Sequence, residues 1–296
     1  MGIKQLSTNM ANVNELSIVS YNMHGFYQGF SVVNELIAID KPHVFLLQEH
    51  WLTPSKLSLF DSSFPGYFSF GSTAMSKSVE AGMLRGRPFG GVMVLIRDDL
   101  RTVTETIYCE ERFAILRVGN YLIATVYFPC VGSNDRYLLC EEILYTISAW
   151  RARYTELEFM LAGDFNVNLD NSGDCIVKLF SNFMRTFNLS RCDDLFPNQK
   201  APTYVNLSLD QESQIDFILV SNPSYITDFH VLDPSINFSD HLPLCVTAKL
   251  TNVCNTKPIV SSHKNVNFTL TQLRWDKGDK DSFYYYTGQN LVPLTH

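Results

Sequence analysis

Short apolar runs, rich in Val, Ile, Phe and Tyr and bounded by Gly, Pro, Asn or Asp, constrain this chain most. Runs of that length and composition fold as strands. They are Leu16–Tyr21, Val44–Gln48, Gly91–Arg97, Thr102–Tyr108, Phe113–Val118, Leu122–Phe128, Glu158–Ala162, Ile215–Val220 and Leu244–Lys249. Helical patterns lie between them. Ser31 is placed to cap one, with Val33, Leu36 and Ile37 on its apolar face and Pro42 stopping it. A longer one carries Leu139, Ile143, Ile147, Trp150 and Tyr154, and a third carries Ile176, Leu179, Phe180, Phe183, Met184 and Phe187. Helices with one apolar face, beside strands apolar enough for a core, imply sheets covered by helices.

The chain has 296 residues, 46% of them hydrophobic and 18% charged, enough to bury a substantial core in one large domain or two small ones. A net charge of −7 counts against a broad basic face for nucleic acid. Carboxylates gathered around a metal site would give the same sign without repelling a metal-bound phosphate. The seven cysteines are odd in number and lack CxxC spacing, which points to reduced, buried thiols. The segment Met1–Leu6 has no apolar signal core, and Leu6 stands where a myristoylation signal has Ser or Thr. No apolar stretch approaches the ~20 residues of a membrane helix. The sequons at Asn188 and Asn237 therefore read as incidental. The expectation is an intracellular protein, nuclear or cytoplasmic, neither secreted nor membrane-bound.

Residues 1–14 read as a polar leader, 15–250 as the folded domain and 251–296 as a linker-like tail. Residues 71–90 read as a surface loop whose Arg85 and Arg87 suit phosphate contact. A second loop, 197–213, is another candidate for recognition.

Five polar motifs sit at or inside the strand runs: Ser20-Tyr21-Asn22, Leu47-Gln48-Glu49, Gly163-Asp164-Phe165-Asn166, Gln214-Ile215-Asp216 and Ser239-Asp240-His241. Glu49 at a strand exit can coordinate a hard cation, and Asn22 can offer a carbonyl oxygen beside it. Asp164 can orient or deprotonate a water while the Asn166 amide holds a phosphate oxygen. Taken singly, each also fits a turn or a strand cap. Asp216 is different, because it interrupts an apolar strand where an unpaired charge is costly. His241 is its natural partner, oriented by the carboxylate and presenting a proton to a phosphoryl oxygen. His43, His50, His230, His263 and His296 read as structural, and His24 as lining the groove.

This ordered set resembles the endonuclease/exonuclease/phosphatase superfamily, which includes apurinic endonucleases, deoxyribonuclease I and inositol phosphatases. The resemblance covers about residues 15–250. It implies a four-layer α/β sandwich, two packed mixed β-sheets flanked by helices. It also implies a Mg²⁺ cofactor, with Mn²⁺ as a substitute, and DNA as the phosphodiester substrate. Asn22, Glu49 and Asp240 match the family's metal-site positions. Asp164, Asn166, Asp216 and His241 match its water-activating, phosphate-contacting and paired Asp–His residues. Tyr127 matches a tyrosine at the scissile phosphate. Two residues after Asn22, where apurinic endonucleases carry Asp, this chain has His24. That departure weakens the case for a second metal or for abasic-site preference.

A narrower resemblance is to the endonuclease domain of non-LTR (LINE-type) retrotransposons. It rests on Arg87-Pro88-Phe89-Gly90-Gly91-Val92, on Gln214-Ile215-Asp216-Phe217-Ile218-Leu219 and on the tail Leu273-Arg274-Trp275-Asp276-Lys277. It implies single-strand nicking that leaves a 3′-hydroxyl, and a place at the front of a larger retroelement polyprotein carrying a reverse transcriptase. Two other expectations stay open. One is a phosphatase or phosphodiesterase acting on a smaller phosphoester, and the other is an inactive DNA-binding remnant.

Overall fold

The computed structural model describes residues 14–80, 82, 88–206, 208 and 210–250. The first strands are β1 (Glu15–Asn22), β2 (Val44–Gln48), β3 (Tyr67–Ser72), β4 (Val92–Arg97), β5 (Thr104–Glu110), β6 (Phe113–Val118) and β7 (Tyr121–Tyr127). They are followed by β8 (Glu158–Asp164), β9 (Ser190–Arg191), β10 (Tyr204–Asn206), β11 (Gln211–Ser213), β12 (Asp216–Val220), β13 (Ile226–Val231) and β14 (Leu244–Lys249). One six-stranded sheet has the order β13-β14-β1-β2-β4-β3, and the other β5-β6-β7-β8-β12-β9. Each is mixed: β1 with β2 and β7 with β8 run parallel, and their remaining pairs are antiparallel. β10 and β11 form a separate hairpin.

The two sheets pack face to face, and the pleat decides which side chains meet. Leu16 and Ile18 of β1, Val44 and Leu46 of β2, Met160 and Ala162 of β8, and Ile218 and Val220 of β12 share the inter-sheet core. Their alternates point outward, as a period of two requires. Phe45 and Leu47 meet the helix Phe26–Ile39 on one outer face. Phe159, Leu161, Phe217 and Leu219 meet the helices Arg136–Arg151 and Cys175–Thr186 on the other. This is the four-layer α/β sandwich.

Continuing the same alternation places the site. Asn22, Gln48, Asp164 and Asp216 have the inward parity of their strands, and all four are buried. The registers Asn22↔Gln48, Tyr127↔Asp164 and Asp216↔Asp164 bring them to one end of the sandwich. There the inter-sheet layer turns from apolar to polar. Gln48 Nε2 donates to Thr125 Oγ1 at 2.9 Å, tying one sheet to the other just beneath that end.

Three sequence expectations need correction. Ser31 is not a cap: the first helix starts at Phe26, with Gly25 at its N-terminus, and Ser31 lies within it. Its buried face, Phe26, Gly29, Val32, Val33 and Leu36, begins about two turns earlier than Val33 indicated. The run Thr102–Tyr108 begins as a 3₁₀ turn over Asp98–Val103, and its strand is shifted to Thr104–Glu110. Residues 71–90 are not loop throughout, since β3 extends to Ser72 and a short helix covers Ser76–Glu80. Arg85, Arg87 and the tail 251–296 lie outside the described residues. No helix among the described residues is long and apolar enough to cross a membrane.

Candidate active site

Asp164 closes β8, and the glycine before it explains the chain's course. Gly163 has φ of +141°, and a Cβ there would sit 2.0 Å from the Val126 carbonyl oxygen. Only glycine lets β8 press against β7 at this point. Asp164 Oδ1 then accepts from the Asn166 backbone N–H at 2.7 Å, and Oδ2 from the Asn166 side chain at 3.0 Å. The second amide hydrogen of Asn166 goes to the Phe128 carbonyl at 2.9 Å. With both hydrogens committed, Asn166 braces Asp164 here; it does not present an amide to a phosphate oxygen.

Asn22 is oriented by the same accounting. Its Oδ1 accepts from the His24 backbone N–H at 3.0 Å, which leaves Nδ2 facing the site. Nδ2 donates to Glu49 Oε1 and to Asp164 Oδ2, each at 3.0 Å. The carbonyl oxygen assigned to a cation from sequence is therefore turned to the backbone. Asn22 instead holds two carboxylates of opposite sheets together.

His241 Nδ1 lies 2.9 Å from Asp216 Oδ2, and its Nε2 faces Asp164 Oδ2 and Asp240 Oδ1, both at 3.9 Å. Burial alone would lower the imidazole pKa. The charge and hydrogen bond of Asp216, with Asp164 and Asp240, overcome it and push the value up to about 10. The ring is thus held protonated. Burial raises the Asp164 pKa, the neighbouring charge of Asp216 raises it further, and Glu49 adds to both. Asp240 stays low despite burial, because His24 and His241 stabilise its charge. Its Oδ1 is 2.8 Å from His24 Nδ1. Tyr127 stands opposite Asp164, beneath the Arg112 guanidinium at 5.2 Å, and burial then Glu49 drive its hydroxyl pKa upward.

The donor set fits a hard divalent cation. Asp164, Asp216 and His241 offer ligand atoms all within 4.8 Å of one another. Glu49 approaches from the other side through Asn22, and Asp240 through His241. Asp216 and His241 are committed to each other, so Glu49, Asp240 and Asp164 are the oxygens left to hold a divalent cation. After burial, the charges of Asp216 and Glu49 raise the Asp164 pKa, and a divalent cation would offset that excess of negative charge.

Several functional groups escaped the sequence reading. Thr203 Oγ1 accepts from the backbone N–H of Ile215 and Asp216 at 3.1 and 3.0 Å, fixing the start of β12. Tyr204 packs edge-on to the His241 ring at 5.2 Å. Ser239 donates to the Asn22 carbonyl at 2.8 Å and accepts from the His241 backbone N–H at 3.1 Å. Trp51 donates its indole N–H to Glu49 Oε2 at 2.9 Å. Ser239 stood in the Ser239-Asp240-His241 motif without a role of its own, Thr203 and Tyr204 in the loop 197–213, and Trp51 had only its closeness to Glu49. His24, Glu49, Trp51 and Asn166 all have positive φ without being glycine. Such strain persists only where the surroundings impose it. Here Glu49 N–H donates to the Gly91 carbonyl at 2.9 Å and Trp51 N–H to Gly90 at 3.0 Å.

The family model of the endonuclease/exonuclease/phosphatase family matches residues 19–241, and the chain belongs to that family. It is a hydrolase of phosphoester bonds. The fold is similar to that of AP endonuclease LMAP from Leishmania major, with 14% identity, a TM-score of 0.63 and coverage of 84% of this chain and 92% of that one. It is also similar to the 3′ phosphatase NExo from Neisseria bound to a product DNA hairpin, at 17% identity and TM-score 0.60, covering 78% and 98%. An AP endonuclease from Archaeoglobus fulgidus gives 15% identity and TM-score 0.56, covering 78% and 98%. No curated protein matches the chain in sequence.

Proposed function

We propose that this chain is a Mg²⁺-dependent DNA endonuclease that nicks one strand and leaves a 3′-hydroxyl, as the first domain of a LINE-type retroelement polyprotein. One observation carries the reading. A buried carboxyl of raised proton affinity, Asp164, and a buried, protonated imidazole, His241, stand 3.9 Å apart beside Asn22 and Glu49. A phosphodiester needs that pair: a group to take a proton from the attacking water and a cation for the developing charge.

In this reading Asp164 accepts the water's proton at Oδ2, while Asn22 and Asn166 fix the carboxylate's direction. Its raised pKa makes it a stronger base than an exposed aspartate. His241 donates from Nε2 to a non-bridging phosphoryl oxygen, and Asp216 keeps the ring charged and aligned. Tyr127 stands beside the same phosphate, and Arg85 and Arg87 are assigned to the flanking ones. Glu49 and Asp240 would hold Mg²⁺, which when bound supplies charge to the phosphate and acidifies water. The LINE assignment is supported by the Gly90-Gly91 and Gln214–Leu219 motifs and tested by reading the genomic frame beyond His296.

The biochemical test is relaxation of supercoiled plasmid in Mg²⁺ by wild type, Asp164→Ala and His241→Ala. Nicking by wild type alone, sealable by ligase, supports the proposal; equal nicking by all three sinks it. The net charge of −7 favours a second reading, a small phosphoester as substrate. Turnover of inositol phosphates without nicking would establish that reading instead.

A further inference from the structure

Beside the catalytic end lies a groove of about 540 Å³ whose lining includes Tyr27, Gln28, Trp51, Lys56, Pro88 and Phe238. That volume falls in the range of ligand clefts, roughly 300–1,000 Å³. We propose that this groove is a base-stacking subsite, taking an unstacked nucleobase next to the cleaved phosphate. The inference rests on the endonuclease reading and specifies how that site grips its strand.

Continuity with the chemistry is the first argument. The Trp51 indole bonds the Glu49 carboxylate at 2.9 Å and meets the His24 ring edge-on at 4.7 Å. The groove therefore starts one side chain from the Glu49 carboxylate, so a strand held there would pass over it. Phe238, on the far wall, is two residues before Asp240.

The second argument is the state of the aromatic walls. Tyr27 is 68% exposed and Phe238 67% exposed, so both rings are open to a ligand. Neither sits on a loose segment. Tyr27 belongs to the first helix. The Phe238 loop is tied to that helix by Ser235 N–H to Glu35 at 3.1 Å. Its Asn237 accepts from Tyr21 at 2.8 Å and donates to the His241 carbonyl at 2.7 Å. Rigid, exposed rings with a single lysine at the rim suit a flat base and its phosphate. Every base has a π-face, so such a platform grips a strand whatever its sequence. A base reaches it only by leaving the stack, which makes deformable or unpaired sites the preferred substrates.

The test uses the full chain and duplex oligonucleotides carrying 2-aminopurine at successive positions around the nick, bound in Ca²⁺ and then cleaved in Mg²⁺. Fluorescence should change at one position beside the nick in wild type. That change should vanish in Tyr27→Ala and Phe238→Ala, whose KM for nicking rises roughly 10-fold. Tyr145→Ala, which removes a ring 76% exposed on a distant helix, should leave both readouts at wild-type values. If wild type nicks no DNA, the endonuclease reading falls and this inference with it. If wild type nicks and the three variants all match it, the endonuclease reading stands and the stacking subsite is overturned. A KM effect confined to an acyl-bearing phosphodiester would put a lipid tail in the groove and overturn it equally.

Discussion

At the floor of the site Asn22, Asp164, Asp216 and His241 are buried and bonded to one another, while along its rim Tyr27 and Phe238 are more than half exposed. Asn22, Asp164 and Asp216 stand on strands, so pleat and register aim them, and His241, between β13 and β14, is held by Ser239 and Asp216. The rim is built by a helix start and by loops, and holds its rings by hydrogen bonds to backbone. The difference separates two jobs. Proton transfer needs groups at fixed distance in a low-dielectric pocket, whereas gripping a strand needs accessible apolar surface.

The sharpest way to break that contrast is Asp164→Asn. The amide keeps the shape of the floor and removes its base, so nicking should fall by roughly 10²- to 10⁴-fold. Stability should move the other way. The folded pKa of Asp164 is raised to about 8, above its unfolded value, so at neutral pH folding must take up a proton or hold an unfavourable charge, and either opposes it. The variant's melting temperature should hold or increase. A drop in melting temperature alongside the lost activity would show that the floor needs this charge to fold.

A smaller effect tests the scaffold under the rim. His50 is buried, accepts from the Leu52 N–H at Nδ1 and bonds the Ser72 carbonyl through Nε2, a pairing that fixes the neutral tautomer. Burial lowers its pKa to about 4. The folded state therefore binds fewer protons than the unfolded state between that value and about 6.5, and stability falls as pH drops through the window. Urea denaturation at pH 7 and pH 4.5 should differ by about 2–3 kcal/mol from this group. His43, also lowered to about 4 by burial and by Arg97, adds in the same direction. Asp164 opposes both, so the Asp164→Asn background gives the cleaner slope. A flat profile there would mean that His50 carries its proton in the fold.

Legibility in the sequence followed the same divide. The sandwich and its floor were readable because a buried carboxylate in Ile215–Val220 and polar residues ending apolar runs break a period-two pattern that is otherwise strict. Parity then predicts that Asn22, Asp164 and Asp216 face one interior. What parity cannot give is the direction of an amide: Asn22 and Asn166 turned differently because the His24 N–H and the Phe128 carbonyl claimed their outer atoms. The strands β3, β9, β10, β11 and β13 were missed for a related reason. Four of them sit at sheet edges or in the separate hairpin, and β13, also an edge, pairs on one side only through a bulged register. Edge strands bury less, so their sequences carry less apolar signal. Thr203 and Tyr204, the latter opening the short strand β10, lay in the stretch 197–213 read for recognition, with no sign of their part in holding Asp216 and His241.

The smallest expected effect falls at the boundary between floor and rim. His24 and Asp240 face each other at 2.8 Å, with side chains 39% and 30% exposed. A pair that open to water contributes about 0–1 kcal/mol. His24→Ala should therefore change stability by less than about 1 kcal/mol. Its effect on nicking should come through Asp240, which loses the hydrogen bond that helps keep it ionised but retains the His241 charge. With one of two supports remaining, nicking should stay within roughly fivefold of wild type, about 1 kcal/mol of barrier. A loss beyond tenfold, with stability unchanged, would put His24 among the groups that act on the phosphate and move the edge of the floor outward to include it.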